Sequence, residues 1–184
     1  GSSTSDDGDF EGSRTWLDES SDAFLMKIDA SGNKEWVKTY GGSSGEEVKF
    51  AIMGDDGGYT LVGITWSDDR DFAGTSGVEG SGYFSIKVDA SGNKEWVKKF
   101  PTYDAGHIFP AKDGGYILAG GSYNNSHDVV FLKVNASGSK EWSRNYGGSD
   151  EETVGSVVQT SDEGYIIVGT TESDDGDFAG LNNK

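Results

Sequence analysis

Three short acidic runs are the residues best suited to chemistry: Ser5-Asp6-Asp7-Gly8-Asp9-Phe10, Ser67-Asp68-Asp69-Arg70-Asp71-Phe72 and Ser173-Asp174-Asp175-Gly176-Asp177-Phe178. Each places three carboxylates within four residues, the hard oxygens that Ca2+ gathers six to eight at a time. Asp6, Asp7, Asp9, Asp68, Asp69, Asp71, Asp174, Asp175 and Asp177 are therefore candidate metal ligands, with Ca2+ the candidate cofactor. The spacing is not that of an EF-hand, which carries a Glu at its twelfth position. The competing reading is a solvated turn, in which Asp and Ser bond their own backbone.

Trp16, Trp66 and His107 are the candidate ligand-binding residues. Neither tryptophan recurs in register, and both fall in or beside long loops. An aromatic among Asp and Asn side chains suits a glycan or a protein interface, or else pins its own loop. His107 aligns with Phe50 and Ser156 on a strand expected to lie innermost, but no convergent partner is evident for it. His127 sits in a loop beside Asp128, where solvation is the simpler reading. No nucleophile elbow, no metal-spaced histidine pair and no phosphate-cradling glycine loop is present. Carboxylates are abundant enough for a glycosidase, yet their periodicity is better explained by duplication. A non-catalytic role is expected.

The composition agrees. The 184 residues carry 32 Asp and Glu against 15 Lys and Arg, a net charge of −17, with no cysteine. Such a chain is not expected to seek nucleic acid or anionic lipid. It can form neither disulfides nor thiolate sites, and no apolar run approaches the ~18 residues of a membrane span. Five Trp, eight Tyr, nine Phe and 29 Gly point to an aromatic-rich all-β protein. Gly1-Ser2 has the look of a cloning remnant, so any signal peptide is expected to lie outside this sequence.

The elements that must position these residues repeat. Lys27-Ile28-Asp29-Ala30-Ser31-Gly32-Asn33-Lys34-Glu35-Trp36 returns from Lys87 to Trp96 and, with changes, from Lys133 to Trp142. Asp56-Gly57-Gly58-Tyr59 recurs at Asp113 and at Asp162. Within a unit the apolar period is two: Phe24, Met26 and Ile28, then Phe84, Ile86 and Val88, then Val130, Leu132 and Val134. Gly32, Gly92 and Gly138 supply the positive φ of the hairpin turns. Trp36, Trp96 and Trp142 recur in register and are expected to pack between repeats. Lys27, Lys87 and Lys133 are expected to pair with an acid on a neighbouring strand. Each unit is a four-stranded antiparallel meander.

The combination Lys-Val-Asp-x-Ser-Gly-Asn-x-x-Trp, Tyr-Gly-Gly-Ser and Asp-Gly-Gly-Tyr-Ile-x-x-Gly resembles the β-propeller repeats of bacterial and archaeal surface proteins. That resemblance implies an extracellular or cell-surface module that binds, adheres or assembles, or acts only as architecture. The middle unit departs from it: Pro101 stands where others have Gly41 and Gly147, and its acidic run is missing. A β-trefoil is the alternative fold for three four-stranded units.

The phase is permuted, giving a half-blade 1–41, blades 42–101 and 102–147, and a half-blade 148–184. Three blades fall below the usual four to eight. The expected partner is a second copy, closing a six-bladed homodimer, or else the remaining blades of a longer chain. A glycan or protein ligand is the further candidate partner.

Overall fold

The computed structural model describes residues 1–5, 7–12, 20–75, 81–101, 104–121 and 128–180. The chain divides into two compact units, Gly1–Pro101 and Thr102–Lys184. Both are built from antiparallel strands, and the described helical turns are three single 3-10 turns. No described helix is long and apolar enough to cross a membrane.

The first unit holds two sheets. One runs β1 (Ser2–Ser3), β2 (Asp22–Ile28), β3 (Lys34–Tyr40), and the other β4 (Glu46–Met53), β5 (Tyr59–Thr65), β6 (Gly82–Val88), β7 (Lys94–Pro101). In the second unit, β8 (Asp104–Pro110), β9 (Tyr116–Gly121), β10 (Val129–Val134) and β11 (Lys140–Tyr146) form one meander. A two-stranded sheet follows, β12 (Glu152–Gln159) with β13 (Tyr165–Thr171). All neighbours are consecutive in sequence, as short hairpin connections require.

The turns explain why the strands stop where they do. Asp29 and Asp89 each accept the backbone N–H groups two and four residues on, all at 2.8 Å. Gly32 and Gly92 complete the turn at φ 86° and 79°. The Asp-Gly-Gly turns use Gly57 and Gly114 at φ 78° and 76°, but Asp162-Glu163-Gly164 forces Glu163 to φ 67°.

Burial departs from simple alternation. On β6 and β10 every side chain is buried, Ser85, Lys87 and Lys133 included. An inner strand of a complete sheet is covered on both faces, so its charged residues must find partners, while the Ser85 hydroxyl is buried without a hydrogen-bond partner among the described residues. Lys87 reaches Asp56 at 2.7 Å and Lys133 reaches Asp113 at 2.7 Å. The expected acid therefore comes from the Asp-Gly-Gly turn rather than from a strand. Lys27 pairs instead with Glu35 on β3.

In the first unit the core lies between the two sheets and gathers Ala23, Tyr40, Leu61, Phe72, Phe84, Ile86 and Val88. The ring of Trp36 meets Tyr59 edge-on across this gap. In the second unit Ile117, Ala119, Val129, Phe131, Val154 and Val157 form the core, and Trp142 meets Tyr165 in the same way.

Candidate functional site: two acidic clasps

Within each unit one Ser-Asp-Asp-x-Asp-Phe run meets one Gly-Gly-Ser linker, 67–72 on 41–44 in the first and 173–178 on 147–150 in the second. In the first unit, the Thr65–Phe72 segment leaves β5 and turns over Gly41–Ser44. The Asp69 Oδ1 accepts the Ser43 N–H at 2.8 Å, and the Asp71 Oδ2 accepts the Gly41 N–H at 2.9 Å. The Ser67 Oγ accepts the Ser44 N–H at 3.0 Å. The Asp71 N–H returns a bond to the Gly41 carbonyl at 3.2 Å. Three linker amides are thus satisfied by one hexapeptide, and the linker satisfies one amide of the hexapeptide in return.

Beneath them lies Glu46, 1% exposed. Its Oε1 accepts the hydroxyls of Thr65 at 2.8 Å and Ser67 at 2.7 Å, and its Oε2 accepts the Gly42 N–H at 3.2 Å. Burial pushes the Glu46 carboxyl above its ordinary range, against those three hydrogen bonds, and the charge of Asp22 pushes the same way. For Asp69 the balance is reversed: the Ser43 N–H holds its carboxyl below the ordinary range.

Glycine is required in the linker by close approach. A Cβ on Gly41 would collide with the Asp22 carboxylate, and one on Gly42 with the Ser67 side chain. Two lysines grip the outer carboxylates. Lys99 Nζ reaches Asp68 Oδ1 and Lys94 Nζ reaches Asp71 Oδ1, each at 2.5 Å. Arg70, at φ 52°, donates from Nη1 to the Gly42 carbonyl at 2.7 Å. Phe72 closes the loop onto the core against Phe84, centroid to centroid 5.3 Å.

The second unit repeats the clasp. Asp175 accepts the Ser149 N–H at 2.7 Å, Asp177 the Gly147 N–H at 3.1 Å, and Ser173 the Asp150 N–H at 2.9 Å. Glu152 takes the place of Glu46, bonded by Thr171 at 2.6 Å and Gly148 N–H at 3.2 Å. Burial alone would push the Glu152 carboxyl up, but hydrogen bonds from Ser173, Thr171 and Gly148 outweigh it, and the net displacement is downward.

Of the candidate metal ligands, the structure brings Asp69 with Asp71, and Asp175 with Asp177, to a shared linker rather than to a shared centre. Asp68, held by Lys99, and Asp174 are both exposed. Asp7 accepts the Ser5 hydroxyl at 3.2 Å, and Asp9 pairs with Lys34 at 2.9 Å. Asp6 lies outside the described residues, as do Trp16 and His127. Among the described residues, no group of three or more His, Asp or Glu is disposed to hold a metal ion. Trp66 is 50% exposed, and its backbone N–H donates to the Gly45 carbonyl at 3.1 Å. His107 is exposed on β8, opposite Ala119, and stacks on Phe109 at 5.9 Å.

Glu46 and Glu152 are the residues that motif reading passes over. A signal for them existed: the Gly-Gly linker and the acidic run occur together in two repeats and are both lost in the middle one. Two segments that appear and vanish together are expected to touch. No protein-family profile matches the chain, and no curated protein sequence does.

Proposed function

We propose that this chain is a non-catalytic binding and assembly module of an extracellular surface protein, its sheets serving as blades of a β-propeller that two copies complete. The observation that carries this reading is complementary incompleteness. β2–β3 has the sequence of the outer half of a four-stranded sheet, and β12–β13 has the sequence of the inner half. On β13, Ile166, Ile167 and Val168 are 57%, 41% and 57% exposed, whereas the matching Leu61, Val62, Ile117 and Leu118 are at most 2% exposed. Exposed apolar edge strands recruit further strands, and a sheet wants three or more strands to stand alone.

The acidic clasps support the non-catalytic part. Their carboxylates hold backbone amides and, in the first unit, lysines, which makes them latches rather than an acid–base pair. They also give the loop-bearing end a fixed shape on which a ligand can be recognised, the usual place for function on a rigid scaffold.

Light scattering at micromolar concentration tests the assembly. A mass of about 39 kDa, twice 19.6 kDa, is expected. A compact 19.6 kDa particle at all concentrations would overturn the reading.

A further inference from the structure

The two complete sheets fix how an inner half joins an outer half. Between β5 and β6, Leu61 stands opposite Ile86, Val62 opposite Ser85 and Gly63 opposite Phe84. Between β9 and β10, Leu118 stands opposite Leu132, Ala119 opposite Phe131 and Gly120 opposite Val130. By the repeat, β13 corresponds to β5 and β9, and β2 to β6 and β10. We propose that β13 of one copy pairs with β2 of a second copy in this register, with Ile167 opposite Met26, Val168 opposite Leu25 and Gly169 opposite Phe24. The proposal rests on the dimeric reading above and adds its geometry.

A groove of about 350 Å³ in the second unit lies beside β13. It is walled by Phe131, Tyr146, Ile167, Gly169 and Phe178. The repeat equivalents of these residues in the first unit are Leu25, Tyr40, Leu61, Gly63 and Phe72, and there the ring of Phe84 fills the space among them. Gly63 is held without a side chain first by the backbone of β4, since an added Cβ would collide with the Glu47 carbonyl oxygen, and then by the Phe84 ring at 2.9 Å. Phe24 is the residue of β2 that matches Phe84, so it is the ring this groove takes.

The charges agree with the same register. Lys87 and Lys133 are each satisfied by the aspartate of the preceding Asp-Gly-Gly turn. Asp162 occupies that place before β13, and it bonds to Thr160 and the Gly164 N–H. Lys27, its matching lysine, lies on β2 and is held by Glu35. Docking brings Lys27 of one copy to Asp162 of the other.

The seat on β2 is already taken. Gly1-Ser2-Ser3-Thr4-Ser5-Asp6-Asp7-Gly8-Asp9-Phe10 repeats the pattern of Gly169-Thr170-Thr171-Glu172-Ser173-Asp174-Asp175-Gly176-Asp177-Phe178. Its described residues also lie where that segment would lie. Gly1 accepts the Phe24 N–H at 2.8 Å, Ser2 is opposite Ala23 and Ser3 opposite Asp22. Phe10 packs edge-on against Phe24 at 5.1 Å, as Phe72 does against Phe84. Asp9 holds Lys34 as Asp71 holds Lys94. Gly1–Ser3, Asp9 and Phe10 therefore hold the place of the partner's Gly169–Thr171, Asp177 and Phe178, and strand docking must displace them.

The chain has no cysteine, so introduced cysteines report the register cleanly. One chain carrying Met26→Cys and another carrying Ile167→Cys are mixed and oxidised. A disulfide-linked heterodimer is expected, because directly opposed strand residues fall within disulfide reach. Leu25→Cys with Val168→Cys serves as the second pair, since adjacent opposed pairs alternate in spacing. Met26→Cys with Val168→Cys should not link, because a one-residue slip turns the side chains to opposite faces. A dimer by mass in which neither in-register pair links would overturn this inference while leaving the proposed function standing. A monomer by mass would overturn both. A Met26→Cys/Ile167→Cys double variant that closes its disulfide within one chain would overturn the second copy as the occupant.

Lys27→Asp and Asp162→Lys should each weaken association, and the double variant should recover it. Recovery failing would count against the register. Phe10→Ala, or removal of residues 1–10, should tighten association on the order of tenfold, the effect of losing a competitor worth about 1.4 kcal/mol. Unchanged or weaker association would overturn the placeholder.

Discussion

Around Glu46 the clasp sits on a complete four-stranded sheet, whereas around Glu152 the same clasp stands on a sheet of two strands. The bonds from linker amides to Asp, Ser and Glu side chains are the same in both, but Arg70 adds one to the Gly42 carbonyl that Gly176 cannot make. What differs beyond that is everything that β6 and β7 bring: Phe84 under Phe72, Lys94 on Asp71 and Lys99 on Asp68. Phe72 is fully buried, while Phe178 is half-buried and Asp174, Asp175 and Asp177 are exposed. The local sequence therefore suffices to close the loop onto its linker. The next two strands are needed to bury it.

The largest break in this comparison is expected from the two phenylalanines. Phe72→Ala removes a ring from a closed core and should cost about 3–5 kcal/mol. Phe178→Ala should cost less than about 1 kcal/mol in dilute protein, where the ring still has solvent beside it. Chemical denaturation of both variants measures the gap. Raising protein concentration should narrow it, because a docked Phe24 would bury Phe178. Equal costs in dilute protein would show that the groove beside Phe178 is already filled.

The two buried glutamates should respond to acid with opposite sign. A carboxyl held above its unfolded value contributes stability below that value and loses it as pH rises through the raised one. Glu46 is of this kind. Glu152 is held below its unfolded value, so its contribution is present above that value and is lost as pH falls through the depressed one. On acidification from about pH 7 to about pH 4, Glu46→Gln should abolish a gain in melting temperature. Glu152→Gln should instead remove a loss that begins at lower pH. Parallel curves for the two variants would mean that the clasps are electrically equivalent.

Strands and hairpin turns were legible from apolar period and glycine position. These are local signals: Asp29, Gly32 and Asn33 act within five residues, so their types declare the turn. The acidic runs were legible as special but not in their role. Three carboxylates in four residues look the same whether they face an ion or backbone amides, and Asp69 meets Ser43 across 26 residues of chain. The burial of Lys87 and Lys133 was hidden for a similar reason. A lysine on an alternating strand reads as outward-facing until the turn aspartate that neutralises it is seen beside it.

The smallest effect is expected from calcium, and it separates the clasps most finely. Ca2+ takes six to eight oxygens at about 2.3–2.6 Å. Around Glu46 the inner oxygens of Asp69 and Asp71 accept amides, while Lys94 and Lys99 stand on Asp71 and Asp68. An ion entering there would have to displace two ammonium groups and break the clasp. The melting temperature is therefore expected to be the same in millimolar Ca2+ and in chelator at matched ionic strength, since a ligand stabilises only where it binds the folded state. A rise in Ca2+ would return the acidic runs to the ion-site reading, and two variants then locate it. If Asp175→Asn removes the rise and Asp69→Asn does not, the ion sits at the clasp on the two-stranded sheet, where no lysine matching Lys94 or Lys99 bears on Asp177 or Asp174 among the described residues. The missing strands would then have left behind a cation site as well as an open edge.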